Sequence, residues 1–257
     1  MIRIEEISKK FRRLQALDHI SVRFTEGQVV ALIGPNGSGK TTLIKSVLGM
    51  VRPDSGRIFV KDQPVSGDPS YREHIGYMPQ IGRYPDNMKV GQLFDMMQKI
   101  RNREHTDTDL LYKFNIPAIY EKPMRTLSGG TRQKVSAALA FLFDPSILIL
   151  DEPTAGLDPL STEILKEKIQ KEKKKNKLIL ITSHVLSDLE ELTTHIMYLQ
   201  DGKLQFFKDF ETLQEETGEL RLSKAIARVM QGFEPASEWI DELFDVHPKG
   251  KQQDKKK

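Results

Sequence analysis

The stretch Val29 to Thr42, VVALIGPNGSGKTT, constrains this chain more than any other. An apolar run of strand length feeds a glycine-rich loop. Leu43, Val47 and Met50 then follow at a spacing that gives a helix one packing face. The loop fits G-x-x-x-x-G-K-[ST] as Gly34, Pro35, Asn36, Gly37, Ser38, Gly39, Lys40 and Thr41, with Thr42 next. Glycines at 34, 37 and 39 let the backbone turn tightly and bring its N–H groups against phosphate oxygens. A helix starting near Lys40 points the positive end of its dipole at the same anion. Lys40 would reach the β- and γ-phosphates of a nucleotide, and the Thr41 hydroxyl would hold Mg²⁺.

Composition narrows the classes available. There is no cysteine in the 257 residues, which excludes disulfides, thiolate metal sites and cysteine nucleophiles. No apolar run approaches the roughly 18 residues that span a bilayer, and MIRIEEISKK has no signal-peptide apolar core. These features predict a soluble intracellular protein. Formal net charge is +3, but KGKQQDKKK at 249–257 carries five Lys and one Asp, so the body is at −1. The basic balance is a property of a flexible tail and implies no nucleic-acid partner.

Residues 2–8 and 20–24 alternate like half-buried strands, and the segment between them reads as a connection. Phe11 in that connection is an aromatic beside basic residues, able to stack on a purine ring or to cover the edge of a core. HIGYMPQ, 74–80, reads as a short buried strand ending in Gln80. Over 83–143 strand patterns give way to helical ones, as expected of a helical insertion in an α/β core; Met96 and Met97 read as packing. SILILDEP, 146–153, has the continuous apolar run of a parallel strand buried on both faces, and KLILITSH, 177–184, repeats it. The helix between them carries seven Lys at 166–177, read as a solvated face. IMYLQDGKLQFF reads as a hairpin around Asp201-Gly202, and ELRLSKAIARVM as an amphipathic helix. EWIDELF contains the only Trp.

Three apolar strands thus end in polar groups: Gln80, Asp151 with Glu152, and His184. In a doubly wound sheet ligands sit at the carboxyl ends of strands, so these groups can converge on phosphates held by the loop. Asp151 would hold Mg²⁺, directly or through water. Glu152 could polarise an attacking water. Gln80 could contact the metal or that water, and His184 could hydrogen-bond the γ-phosphate. Ser128, Gly129 and Gly130 form a second anion-binding helix start without a lysine. One nucleotide does not need both cradles, so this one would serve a nucleotide held by another copy.

Taken together, these motifs resemble the nucleotide-binding subunit of an ATP-binding cassette (ABC) transporter over roughly residues 2–215. GPNGSGKTT resembles the Walker A motif, Gln80 the Q-loop, LSGGTRQKV the signature, ILILDEP Walker B with its catalytic glutamate, AGLD with Asp158 the D-loop, and His184 the switch histidine. Phe11 stands where the family places an adenine-stacking aromatic. The signature has Thr131 where the family commonly has Gln, and Arg12 follows Phe11 where Gly is frequent. An Asn-Lys-x-Asp guanine reader is not met, because Asn176-Lys177 continues as Leu-Ile.

The resemblance implies an α/β P-loop NTPase (RecA-like) core with a mainly parallel sheet, an N-terminal antiparallel β subdomain and an α-helical subdomain. It would occupy 1–217, as core 1–82 and 144–217 with helical subdomain 83–143. A helical extension, 218–248, and the tail would follow. It also implies ATP hydrolysis with Mg²⁺, a head-to-tail dimer and separate transmembrane permease subunits. The chain would then sit in the cytoplasm, peripheral to the inner membrane. Finer runs, LSGGTRQKVSAALAFLFDPSILILDEPTAGLDP and IGYMPQIGRYPDNMKV, resemble the ATPase of the copper-linked transporter that matures nitrous oxide reductase.

Overall fold

Bulges hide the length of the first two strands. In the computed structural model, which describes residues 1–102 and 106–231, β1 (Ile2–Phe11) and β2 (Leu14–Phe24) pair antiparallel from Ile2↔Phe24 to Phe11↔Leu14. Register shifts follow Ile4 and Ile7, and Glu6 and His19 sit in left-handed backbone at φ 49° and 51°. A bulge adds a residue to one strand and breaks the alternation by which a strand is read. Most of the expected connection is therefore strand, turning at Arg12 and Arg13, and Phe11 ends β1.

The buried strand β3 (Val29–Ile33) leads through the loop into α1 (Lys40–Val47). Leu43 and Val47 are buried as expected, but Met50 is 62% exposed. The helix ends at Val47 and Gly49 turns the chain at φ 67°, so Met50 leaves the helical phase; Ile44 and Leu48 fill the face instead. Next come β4 (Ser55–Val60), β5 (Gln63–Pro64) and β6 (Ile75–Met78). The first antiparallel sheet has the order β2-β1-β4-β5.

Helices α2 (Val90–Arg101), α3 (Asp109–Lys113) and α4 (Gly129–Phe141) make up the helical segment, with Met96 and Met97 packed against its core. The chain then runs through β7 (Ile147–Asp151), α5 (Pro159–Lys174), β8 (Leu178–Thr182) and α6 (Leu186–Glu190). β9 (His195–Gln200) and β10 (Lys203–Asp209) form the expected hairpin. Two helices close the described chain. α7 (Phe210–Thr217) was not legible as an element, although Asp209 caps it by accepting from the Thr212 N–H at 2.8 Å. α8 (Leu222–Gln231) is the amphipathic helix, burying Leu222, Ala225, Ile226 and Met230. EWIDELF, His105, His247 and the tail lie outside the described residues.

The main sheet has the order β10-β9-β3-β8-β7-β6; all neighbours are parallel except β10 with β9. Its strands alternate between two cores. Val29, Ala31, Leu148, Leu150, Ile179 and Ile181 face the helical side. Val30, Leu32, Ile147, Ile149, Leu178 and Leu180 face α1 and the antiparallel sheet. Burial on both faces is why these strands read as unbroken apolar runs.

The lysine-rich helix is corrected for three charges: Lys168, Glu172 and Lys177 are buried. Lys168 Nζ lies 2.5 Å from Asp107 Oδ2 and 3.0 Å from Glu172 Oε1. Lys177 pairs with Glu172 and lies 2.5 Å from Asp144 Oδ1. Lys175 is 3.1 Å from both Asp144 and Glu172. The network ties the helical segment to α5 and to the entry of β8. Burial alone would raise the Glu172 carboxyl, but bonds from Lys177, Lys168 and Lys175 outweigh it and hold its pKa below the usual value. The stabilisation it contributes is present above its unfolded-state pKa and is lost as pH falls through the folded-state one. Glu172→Ala should cost about 3–5 kcal/mol at neutral pH, because it strips a buried ion network of its central partner. Urea unfolding measures this, and the deficit against wild type should narrow as pH falls below the carboxylate range.

Candidate functional site

Parallel strands deliver their last residues to one edge. The carboxyl ends of β3, β7 and β8, with the segment after β6, meet in a cleft of about 230 Å³. Residues 36–42, Phe11, Gln80, Asp151, Glu152 and His184 all line it. Gly34 and Pro35 stand behind it, where their carbonyls accept bonds from Lys40 Nζ at 2.5 and 3.0 Å. Gly39 precedes α1 at φ 105°, and a Cβ there would meet the Ala16 carbonyl at 2.4 Å, so the loop requires glycine at this position.

One lysine and two carboxylates face each other across the cleft. Burial lowers the Lys40 pKa, opposed by the facing carboxylates of Glu152 and Asp151. Burial raises that of Glu152, opposed by His184 and its backbone N–H. His184 Nε2 lies 3.2 Å from Glu152 Oε1, and the His184 N–H donates to Glu152 Oε2 at 3.2 Å. Tyr77, beside Asp151, is pushed up to about 12 by burial and by that carboxylate.

The residues present fit a nucleotide with Mg²⁺. Ser38 Oγ is buried without a hydrogen-bond partner among the described residues. A Cβ on Gly37 would meet nothing within 4 Å, so the loop has an open side. The Thr41 hydroxyl, Asp151 carboxylate and Gln80 amide line the same cleft and are the hard oxygen donors that Mg²⁺ takes.

The second cradle lies elsewhere. Ser128 is exposed and caps α4, accepting from the Thr131 N–H at 3.2 Å. Gly130 packs on the Gly156 carbonyl, where a Cβ would be at 2.6 Å. Asp158 caps α5 and pairs with Lys134 at 2.8 Å; that bond and those from Ser161 hold its carboxyl well below the usual range. Ser128, Gly129, Gly130 and Asp158 therefore share one surface at the starts of α4 and α5, apart from the cleft lining. A carboxylate that caps its own helix and pairs with a neighbouring lysine also has a purely local role.

Sequence reading missed Leu14 and Ala16, which line the cleft because β2 extends further than its alternation shows. It also missed Thr182 and Gln133. Thr182 stands opposite Asp151 in the parallel register, and its hydroxyl donates to Asp151 Oδ1 at 2.6 Å. Only a polar residue near the end of an otherwise apolar strand hinted at it. Gln133 on α4 donates to the Glu152 carbonyl at 3.3 Å, a contact that no local pattern signals.

A family model described as ABC transporter matches residues 17–155. The chain is 32% identical over 215 residues to the lantibiotic transport ATP-binding protein SrtF of Streptococcus pyogenes, spanning 82% of this chain and 92% of that protein. It is 31% identical over 219 residues to the ABC transporter ATP-binding protein YtrB of Bacillus subtilis, across 84% of this chain and 74% of that one. Among solved structures, an ATP-binding subunit of an ABC transporter superposes with a TM-score of 0.81 at 25% identity, covering 90% of this chain and 98% of that one.

Proposed function

This chain belongs to the ABC transporter family as an ATP-hydrolysing subunit, and we propose that it works as a head-to-tail dimer driving separate membrane permease subunits. The observation that carries the reading is the shared lining of one cleft by the glycine-rich loop, Asp151, Glu152, Gln80 and His184. In this reading the loop N–H groups of residues 36–41 cradle the phosphates of ATP and Lys40 swings from its carbonyl partners to the β- and γ-phosphates. Phe11 stacks on the adenine. Thr41, Asp151 and Gln80 hold Mg²⁺, which when bound neutralises charge developing on the phosphate oxygens. Glu152 takes the proton of the attacking water, and His184, beside it, orients against the γ-phosphate. Ser128, Gly129 and Gly130 close on the nucleotide of the other copy, with Asp158 at the same junction.

Among the described residues no helix is long and apolar enough to cross a membrane. A groove of about 390 Å³ beside the cleft supports the permease reading. Met50, Tyr77, Pro79, Tyr84, Met97 and Phe143 line it, and Pro79 adjoins Gln80 of the nucleotide cleft. A permease helix seated there, at the cytoplasmic face of the membrane, would feel the state of the nucleotide through that segment.

Glu152→Gln should bind MgATP, hydrolyse it about 10²–10⁴-fold more slowly for want of a general base, and accumulate as an ATP-bound dimer. A ligand that binds only the dimer drives association by mass action. Size-exclusion chromatography with light scattering, with and without MgATP, reads the dimer, and adding Ser128→Arg should abolish it. Normal hydrolysis by Glu152→Gln would remove this residue from catalysis.

The cargo proposed is a copper- or sulfur-related species exported for nitrous oxide reductase maturation. It rests on the sequence runs around the signature and the Q-loop alone, and another cargo on the same machinery is the alternative. Deleting the subunit should leave that reductase made but without its catalytic copper centre. A fully metallated reductase in the deletion strain would rule this cargo out.

A further inference from the structure

Glu152 is held in an unusual backbone conformation. It is not glycine, yet its φ is 52°, in the sparsely populated left-handed region. Such a conformation persists only where the surroundings enforce it. Both peptide groups of Glu152 are gripped by buried side chains on other elements. Its N–H donates to Thr182 Oγ1 at 2.9 Å, and its carbonyl accepts from Gln133 Nε2 at 3.3 Å. Thr182 is 2% exposed and Gln133 5%.

We propose that Thr182 and Gln133 are positioning residues that fix the catalytic carboxylate by clamping the Glu152 backbone from both sides, Thr182 also orienting Asp151. The proposal rests on the roles given above to Asp151 and Glu152. A hydroxyl has one proton and lone pairs to accept with. The Thr182 proton goes to Asp151 Oδ1 at 2.6 Å, so a lone pair takes the Glu152 N–H. One oxygen atom thereby sets both the rotation of the metal-holding carboxylate and the placement of the base. The Thr182 carbonyl accepts the same N–H at 3.2 Å, which keeps the strand ends together but does not reach Asp151.

The other jaw has a different origin. Gln133 belongs to α4, the helix that begins at the Ser128-Gly129-Gly130 cradle. Among the described residues it hydrogen-bonds to Glu152 and not to Asp151, so the two residues separate in function: Thr182 acts on metal and base, Gln133 on the base alone. Lys134 on the same helix pairs with Asp158, so α4 holds the segment after β7 at both ends.

The test uses the full chain and four variants. Thr182→Val keeps the branched shape and burial but removes the hydroxyl; Thr182→Ser keeps the hydroxyl. Gln133→Met keeps length without the donor, and Glu152→Gln is the control. Steady-state ATPase kinetics are measured against ATP and, at saturating ATP, against free Mg²⁺, and calorimetry reads ATP affinity with and without Mg²⁺ in the absence of turnover. Thr182→Val should lower kcat about 10–100-fold, the usual effect of losing a partner that orients a metal ligand. It should leave KM for ATP unchanged, raise the Mg²⁺ needed for half-maximal rate, and shrink the gain in calorimetric ATP affinity that Mg²⁺ gives wild type. Thr182→Ser should restore all three. Gln133→Met should lower kcat without moving the Mg²⁺ requirement. A folded Thr182→Val with wild-type kcat and Mg²⁺ requirement would overturn the proposal. Should that variant fail to fold, Gln133→Met decides, and a wild-type kcat there overturns it. If Glu152→Gln itself hydrolyses ATP normally, the site reading fails first. If it is inactive while Thr182→Val and Gln133→Met match wild type, only the clamp fails.

Discussion

The ammonium of Lys40 is partly buried between the carbonyls of Gly34 and Pro35 and the carboxylates of Asp151 and Glu152, and the rest of the molecule serves that arrangement. A buried cation needs partners, and a lysine at the start of a helix, where the first turn's N–H groups point outward, makes a site for an anion. To face Lys40 with two acids, the chain must set β7 and β8 beside β3 in parallel, so that all three end at the same edge. Parallel neighbours require crossovers, and α5 supplies the one between β7 and β8. Because these strands are covered on both faces, they are apolar throughout until their last residues, where function begins.

Much of this was legible in one dimension, for identifiable reasons. The glycine pattern, the apolar runs of β7 and β8, and the polar residues closing them carry their meaning locally, so the cleft could be drawn from Gly34 to His184 before any coordinate. What depended on through-space partners could not. The bulges near Glu6 and His19 erased the alternation of β1 and β2, and with it the place of Leu14 and Ala16 in the cleft. Lys168 and Lys177 looked like surface because Asp107 and Asp144, which pair with them, lie elsewhere in the sequence. Thr182 and Gln133 escaped for the same reason: each acts through a bond to a residue on another element.

Two kinds of polar contact hold the helical segment to the sheet, at opposite ends of the strands. At the amino end of β8 the Lys168, Glu172 and Lys177 network fixes it firmly, with charges that are buried and paired. At the carboxyl end of β7, the polar contacts of α4 are a hydrogen bond from the Gln133 side-chain amide, a partly exposed ion pair from Lys134 and the close approach of Gly130 to Gly156. Contacts of this second kind are individually modest. The apolar face of α4, with Val135, Ala138 and Phe141 buried in the core it shares with the sheet, carries the rest of the attachment.

If the cleft is built for a phosphate chain, Lys40 is the cation it depends on, and the most direct test is the affinity of MgATP for Lys40→Ala. Isothermal titration calorimetry on wild type and variant reads it without requiring turnover. A bond from an ionised donor contributes about 1.5–3 kcal/mol, so the variant should bind MgATP at least ten times more weakly. The fold should be kept, because among the described residues the hydrogen bonds of Lys40 go to carbonyls of its own loop. Unchanged affinity in a folded Lys40→Ala would contradict the assignment of this cleft to the nucleotide.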